Sequence, residues 1–433
     1  MADQVIKEVR ARQLLDCKTR PMVEVEVVTE SGHIGRGSAP TGSSVGMHEA
    51  LVLRDGGAEY DGLSVRRAVA NVVDVIGPAL VGLPVADQRR IDETMIELDG
   101  TDRKSRLGGN AVYSVSIAAL RAAAAVEGVP VYQRLARGPL TRLPVPCFNL
   151  VNGGRYPDLV QPFNEFLLVP HGADGVEQAI EAAVRTFKAL GGVIERYTRQ
   201  PARTGSSYGY VAPSNDPRVV LDLMLEAAAE VGVADQVAVA LDCASSEMYD
   251  ERTGSYVLFD RPAGADELID FAEELTERYP MIFIEDLLDE NDWAGFTAAK
   301  ARLSRTVVLA DDLTVTNLEL VRRAVRQDAI GGFVLKPNQV GTITEALDAH
   351  DFAERHGLLA IPSGRSGGVI DDVVTDLSVA LQVPFQKNGA PRSGERIEKL
   401  NFLIRVAEAI GTNRMADLGT LAAVPSGGLP RNE

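Results

Sequence analysis

The sequence predicts an α/β protein, a (β/α)8 barrel preceded by a smaller α+β domain, and three observations carry that reading. Short apolar runs each end in one charge: residues 237–241 run into Asp242, 281–284 into Glu285, 307–310 into Asp311, 333–335 into Lys336, 359–361 into the loop carrying Arg365, and 385–386 into Lys387. Successive charges lie 22 to 43 residues apart, mostly the length of one strand, one helix and two loops. The 433 residues accommodate a barrel of about 250 residues with a further domain to spare. Parallel strands joined by helices put all these charged ends on one face, the face on which barrel enzymes build their sites.

In chain order, residues 5–15 and 22–28 read as antiparallel strands, the second alternating apolar with polar before a turn at Ser31-Gly32, the pattern of a β-meander. Residues 39–46 are small and loop-like, and the composition leaves open a plain surface loop or a mobile lid. Helical patterns fill 63–136, among them the Ala-rich 110–126, which stops at Gly128 and Pro130. Residues 1–137 thus form the first domain. Gly138-Pro139 and Leu143-Pro-Val-Pro146 link it to a barrel domain over 138–423, and the Gly/Pro-rich 424–433 is a flexible tail. The first barrel strands are expected at 147–151 and 166–169, with Asn152-Gly-Gly154 and Glu165 in or beside their loops. Residues 196–216 read as a long irregular insertion near the same face.

Acidic residues outnumber basic ones, 61 against 44, for a net charge of −17, so a nucleic-acid backbone or an anionic membrane would be repelled. A small-molecule partner is expected instead. Cys17, Cys147 and Cys243 are scattered without metal-ligand spacing, and neither a signal pattern nor a run long enough to span a bilayer is evident; a soluble, cytoplasmic protein is expected.

Three carboxylates on adjacent strand ends, Asp242, Glu285 and Asp311, would repel one another without a neutralising partner. Taken singly, each could cap a helix or pair with an arginine. Taken together at barrel spacing, they point to a divalent cation, and an all-oxygen set without histidine or cysteine suits Mg2+. Lys336, beside such an ion, is placed to act as a base, with burial and the cation expected to draw its pKa down toward the working range. Arg365-Ser366 offers a fork and a hydroxyl for a phosphate, and Lys387 a cation for a carboxylate; each alone is equally a rim ion-pair partner.

The chain also resembles the enolase (phosphopyruvate hydratase) family along nearly its whole length. The resemblance rests on Val9-Arg-Ala-Arg-Gln-Leu-Leu-Asp16, Gly42-Ser-Ser44, His48-Glu-Ala50, Leu53-Arg-Asp-Gly56, Leu241-Asp-Cys-Ala-Ser-Ser-Glu247, Ile284-Glu-Asp286, Ala310-Asp-Asp-Leu-Thr-Val-Thr-Asn317, Leu335-Lys336 with Asn338-Gln339, and Lys399-Leu-Asn401. It implies a capping domain before the barrel, a homodimer or higher homo-oligomer, and one tight Mg2+ on Asp242, Glu285 and Asp311. It further implies a second Mg2+ arriving with substrate on Ser44, with Ser43 beside it at the substrate, Lys336 as base, Arg365 and Ser366 on phosphate, and Lys387 on carboxylate.

Departures fall on one side of that pattern. The family's general acid aligns with Tyr208, the histidine after Asn-Gly-Gly with Tyr156, and the histidine before Arg365 with Gly364; none of His33, His48, His171, His350 and His356 can substitute. Glu165 matches the second acidic helper. A tyrosine near pKa 10 is a poor proton donor at neutral pH. The expectation is therefore a metal-assisted enolate chemistry on 2-phosphoglycerate or a related acid with a changed phosphorus or C3 side, similar to that of the carboxyphosphonoenolpyruvate synthases of phosphonate antibiotic biosynthesis, which use a nucleotide-activated phosphonoformate. Ordinary phosphopyruvate hydratase and a catalytically silent scaffold stand as alternatives.

Overall fold

The computed structural model describes residues 4–42, 46–156, 159–419 and 421. The alternation at the N-terminus becomes three antiparallel strands, β1 (Ile6–Leu15), β2 (Pro21–Thr29) and β3 (Ile34–Ser38), paired in that order. Helix α1 (Gln88–Asp99) packs on α2 (Gly109–Glu127), which lies against the apolar face of this sheet, and Ile6, Val25, Val27, Ile91, Val112 and Val115 share one core. By length and composition α2 could cross a membrane, which the sequence reading missed; 83% of its apolar window is buried inside the protein.

The barrel closes through eight strands: β4 (Val145–Tyr156), β5 (Leu159–Val169), β6 (Ala238–Asp242), β7 (Met281–Glu285), β8 (Val307–Ala310), β9 (Gly332–Leu335), β10 (Leu359–Pro362) and β11 (Phe385–Lys387). They pair in sequence order, β11 pairs back onto β4, and a bridge between Ser363 and Lys387 joins β10 to β11. Helices α3 (Val176–Thr198) and α4 (Pro217–Glu230) precede β6. Then α5 (Ala265–Arg278), α6 (Trp293–Arg302), α7 (Leu318–Gln327), α8 (Ile343–Arg355) and α9 (Val374–Ala380) connect successive strands, and α10 (Gly394–Ile410) follows β11.

One strand departs from the all-parallel expectation. β5 runs antiparallel to both β4 and β6. Tyr156 and Leu159 are too close in sequence for a crossover helix, so the chain can only reverse. Both strands are also longer than expected, so Asn152-Gly153-Gly154 and Glu165 sit within the ladder, where Asn152 pairs with Glu165 and Glu165 with Asp242. The first part of the chain rests on α8: Asp92 of α1 accepts hydrogen bonds from the Thr344 amide (3.0 Å) and hydroxyl (2.6 Å), and the Ser116 hydroxyl accepts from the Ile343 amide at 3.0 Å.

Candidate active site

Period-two geometry aims the strand-end charges. Along β6, Val239 and Leu241 belong to the core under the helices, whereas Ala238 and Ala240 join Phe283, Leu309 and Phe385 in a cluster shared by many strands. Two residues beyond Ala240, Phe283, Leu309 and Phe385 stand Asp242, Glu285, Asp311 and Lys387, which therefore share the inward side at the strand ends. Reversed β5 contributes Glu165 at the level of Asp242. Asp242, Asp311, Lys387 and Glu165 line one cavity of about 260 Å³ together with Lys336, Gly364, Arg365 and Ser366, and Glu285 lies fully buried behind its wall, against Lys387.

Within it the charges pair closely. Lys387 Nζ lies 2.6 Å from Glu285 Oε2, 3.0 Å from Asp242 Oδ2 and 3.9 Å from Glu165 Oε2. Lys336 Nζ is ion-paired with Asp311 Oδ2, whose other oxygen accepts from Gln339 Nε2 at 2.8 Å. Arg365 forks onto Glu49 at 2.7 and 3.1 Å, and Glu49 also accepts from the Gly46 amide, which ties the end of the small-residue loop to the barrel. Asp286 accepts the backbone amides of Asp311 and Asp312, both at 2.9 Å, and so fixes the end of β8 against that of β7.

Burial and crowding set the proton affinities. Glu285 is pushed well above the carboxylate range by burial and then by Asp242, with Lys387 opposing. Burial, followed by Asp311, pushes Asp312 up to about 8. Burial also works against the charge of Asp311, but Lys336 outweighs it and holds Asp311 low. The expected fall at Lys336 is reversed here: burial favours the amine, yet the Asp311 carboxylate against it raises its pKa above the ordinary lysine value.

The residues fit a hard divalent cation. Glu285 Oε1 is buried and accepts no hydrogen bond among the described residues, an oxygen left without a donor. Asp286, Asp311 and Asp312 bring one oxygen each within 4.8 Å of one another and are the tighter cluster. Asp286, however, already receives two backbone amides. Asp242, Glu285 and Asp311 are held by lysines and not by the backbone, and an all-oxygen set of this kind suits Mg2+.

Tyr208, aligned with the family's general acid, is set off from the cavity. The Gly209 amide donates to Asn152 Oδ1 at 2.9 Å, and the Gly205 amide to the Gly209 carbonyl at 2.7 Å, closing a turn in which Tyr208 takes a φ of 67°. Its ring lies under the Arg396 guanidinium and its hydroxyl donates to the Cys17 carbonyl at 3.1 Å, so Ser206 and Ser207, not Tyr208, line the cavity. The Tyr156 side chain, Ser43 and Ser44 lie outside the described residues, as does the 424–433 tail. Sequence reasoning gave no role to Glu49, Asp286, Arg396 or Lys399. The last two lie one turn apart on α10, a spacing of three that could have flagged them as neighbours.

The comparisons agree with this architecture. Residues 6–135 match the family model of the enolase N-terminal domain, and residues 140–419 that of the enolase C-terminal TIM barrel domain. The chain is 43% identical over 407 residues to the enolase of Methanopyrus kandleri, an alignment covering 93% of this chain and 95% of that protein. It is 40% identical over 409 residues to the enolase of Methanothrix thermoacetophila (94% and 97% covered) and 42% identical over 404 residues to that of Pyrococcus furiosus (92% and 94%). With both halves of its fold matched in order and its relatives aligned over more than nine-tenths of either chain, the chain belongs to the enolase family of carbon–oxygen lyases.

Proposed function

We propose that this enzyme takes the C2 proton from 2-phosphoglycerate and expels the C3 hydroxide to give phosphoenolpyruvate, with the reverse hydration equally available. The observation that carries the reading is the convergence of Lys336, Lys387, Asp242 and Asp311 on one cavity, with Glu285 buried against Lys387. Asp242, Glu285 and Asp311 would hold Mg2+, which when bound supplies the positive charge that stabilises an enolate. With Asp311 so engaged, Lys336 loses the carboxylate that keeps it protonated and becomes able to take the C2 proton. Lys387 neutralises the substrate carboxylate, and Arg365 with Ser366 orients the phosphate. On the leaving-group side, burial pushes Glu165 up, with Lys387 opposing and Asp242 reinforcing, so it can carry a proton to the departing hydroxide. The relatives, each named Enolase, support this ordinary reaction over the phosphonate-transferring variant.

A second reading keeps the proton-abstraction half and changes the other. The observation favouring it is that Tyr208 faces Cys17 and residue 364 has no side chain, which leaves Glu165 without a second acid at C3. Purified protein with Mg2+ and 2-phosphoglycerate, followed by enolpyruvate absorbance with and without a nucleotide-activated phosphonoformate, separates the two. Steady turnover without the donor supports the ordinary reaction; product formed only with the donor overturns it in favour of the variant. In deuterated water, Lys336→Ala should abolish exchange of the C2 proton while Mg2+ binding persists. Exchange that survives the substitution would assign the base elsewhere.

A further inference from the structure

We propose that Lys399 is a substrate-binding cation of this site, contacting the phosphoryl-type dianion from the space that a side chain at position 364 would otherwise fill. The proposal rests on the reading of the cavity as a phospho-acid site and adds a residue to its anion-binding side.

Geometry is the first support. A Cβ built on Gly364 would lie 2.6 Å from Lys399 Nζ and 3.3 Å from Asp372 Oδ2, so the ammonium reaches this wall only because residue 364 is glycine. Gly364 directly precedes Arg365 and Ser366, the pair assigned to phosphate, and all three line the cavity with Lys399.

Charge accounting is the second. Lys336 is paired with Asp311, Lys387 with Asp242 and Glu285, Arg365 with Glu49 and Arg396 with Glu395. Among the described residues Lys399 makes neither a hydrogen bond nor an ion pair, although it is only 6% exposed. Burial lowers its pKa, with Asp372 opposing from beyond ion-pairing distance. A largely buried ammonium with no protein partner, open only to the cavity, is better stabilised by an anion there than by the few waters it can reach. A dianion held by Arg365 and Ser366 would lie beside it, and a Lys–phosphate contact is a point-charge contact that needs no fork geometry.

The test uses the full chain with saturating Mg2+ and titration calorimetry of three probes: 2-phosphoglycerate, glycerate (the same acid without the phosphoryl group) and inorganic phosphate. Lys399→Met, which keeps the stem and removes the charge, should weaken 2-phosphoglycerate and phosphate by about ten- to a hundredfold and leave glycerate within about twofold. Gly364→Ala, which places a methyl where the ammonium sits, should act in the same direction and guards against a folding defect peculiar to the first variant. Unchanged phosphate and 2-phosphoglycerate binding in Lys399→Met overturns the proposal. So does equal weakening of all three probes with a lowered melting temperature, the mark of a packing role. If wild type binds phosphate through Lys399 but not 2-phosphoglycerate, the substrate reading fails while the anion contact stands. If wild type binds neither, both fail.

Discussion

At the scale of single residues, the site is a set of carboxylates whose mutual repulsion is quenched by two lysines, and the quenching is incomplete at Glu285, whose Oε1 has no partner among the described residues. Glu285→Gln removes a charge that burial already disfavours, so without metal the variant should melt at the same temperature as wild type or higher. Wild type should gain about 2.7 kcal/mol when Mg2+ reaches a hundred times its dissociation constant, and the variant should gain almost none. Differential scanning with and without Mg2+ reads both outcomes; a full Mg2+ shift in Glu285→Gln would remove Glu285 from the ligand set. Gly153 is a steric counterpart. A Cβ there would overlap the Phe163 carbonyl oxygen, which belongs to the neighbouring strand and cannot swing aside. Gly153→Ala should therefore cost about 1–3 kcal/mol in denaturant unfolding and disturb the hairpin that carries Asn152 and Glu165. The strand-end charges were legible because each closes an apolar run, a pattern that local sequence contains. Lys399 and the turned-away Tyr208 were not, because their directions depend on what is missing at Gly364 and on a turn closed by Asn152, and neither is a local signal.

At the scale of elements, caps and connections decide what the alternating pattern alone leaves open. The Asn317 side chain accepts the amides of Glu319 (2.9 Å) and Leu320 (3.2 Å) and so starts α7 directly after the loop that follows Asp311. Asn317→Ala should cost about 1 kcal/mol of stability, and because α7 begins next to the loop of Asp311, proposed as a Mg2+ ligand, it should also weaken Mg2+ binding measured by calorimetry. Asn317→Asp, which keeps a capping side chain, should recover the stability; failure to do so would mean that the amide group, not the cap, matters. The parallel part of the barrel was readable from the recurring interval between charges, since each interval holds one helix. The reversed β5 was not, because Asn152-Gly-Gly154 has the composition of a loop and yet lies inside a strand, where the bulged register of β4 against β5 accommodates it. That reversal has a functional result: it brings Glu165 up beside Asp242 from a strand pointing the other way.

At the scale of the whole molecule, the barrel is coupled to the N-terminal region through the contact of α1 and α2 with α8, and burial decides which of its polar links matter. Arg89 forks onto Asp348 with both side chains well exposed, so Arg89→Ala should change stability by less than about 1 kcal/mol. Asp92 is fully buried in the same contact, and burial raises its pKa to about 6 even though the hydroxyls of Thr344 and Ser116, Gln88 and the Thr344 amide all oppose the rise. In the unfolded chain the same group titrates near 3.8. Between those values the folded protein holds the extra proton, so the contribution of Asp92 to stability is complete below about pH 4 and is lost as the pH rises through about 6. The full loss is about 3 kcal/mol, of which about 1 kcal/mol remains to be lost above pH 5. Asp92→Asn, which cannot titrate, should lack this dependence. The difference in urea midpoint between wild type and Asp92→Asn should therefore move against wild type as the pH goes from about 5 to about 7.5, and a difference that stays flat, or moves in favour of wild type, would mean that Asp92 is ionised in the folded protein and acts as a charged clamp between the two parts of the chain.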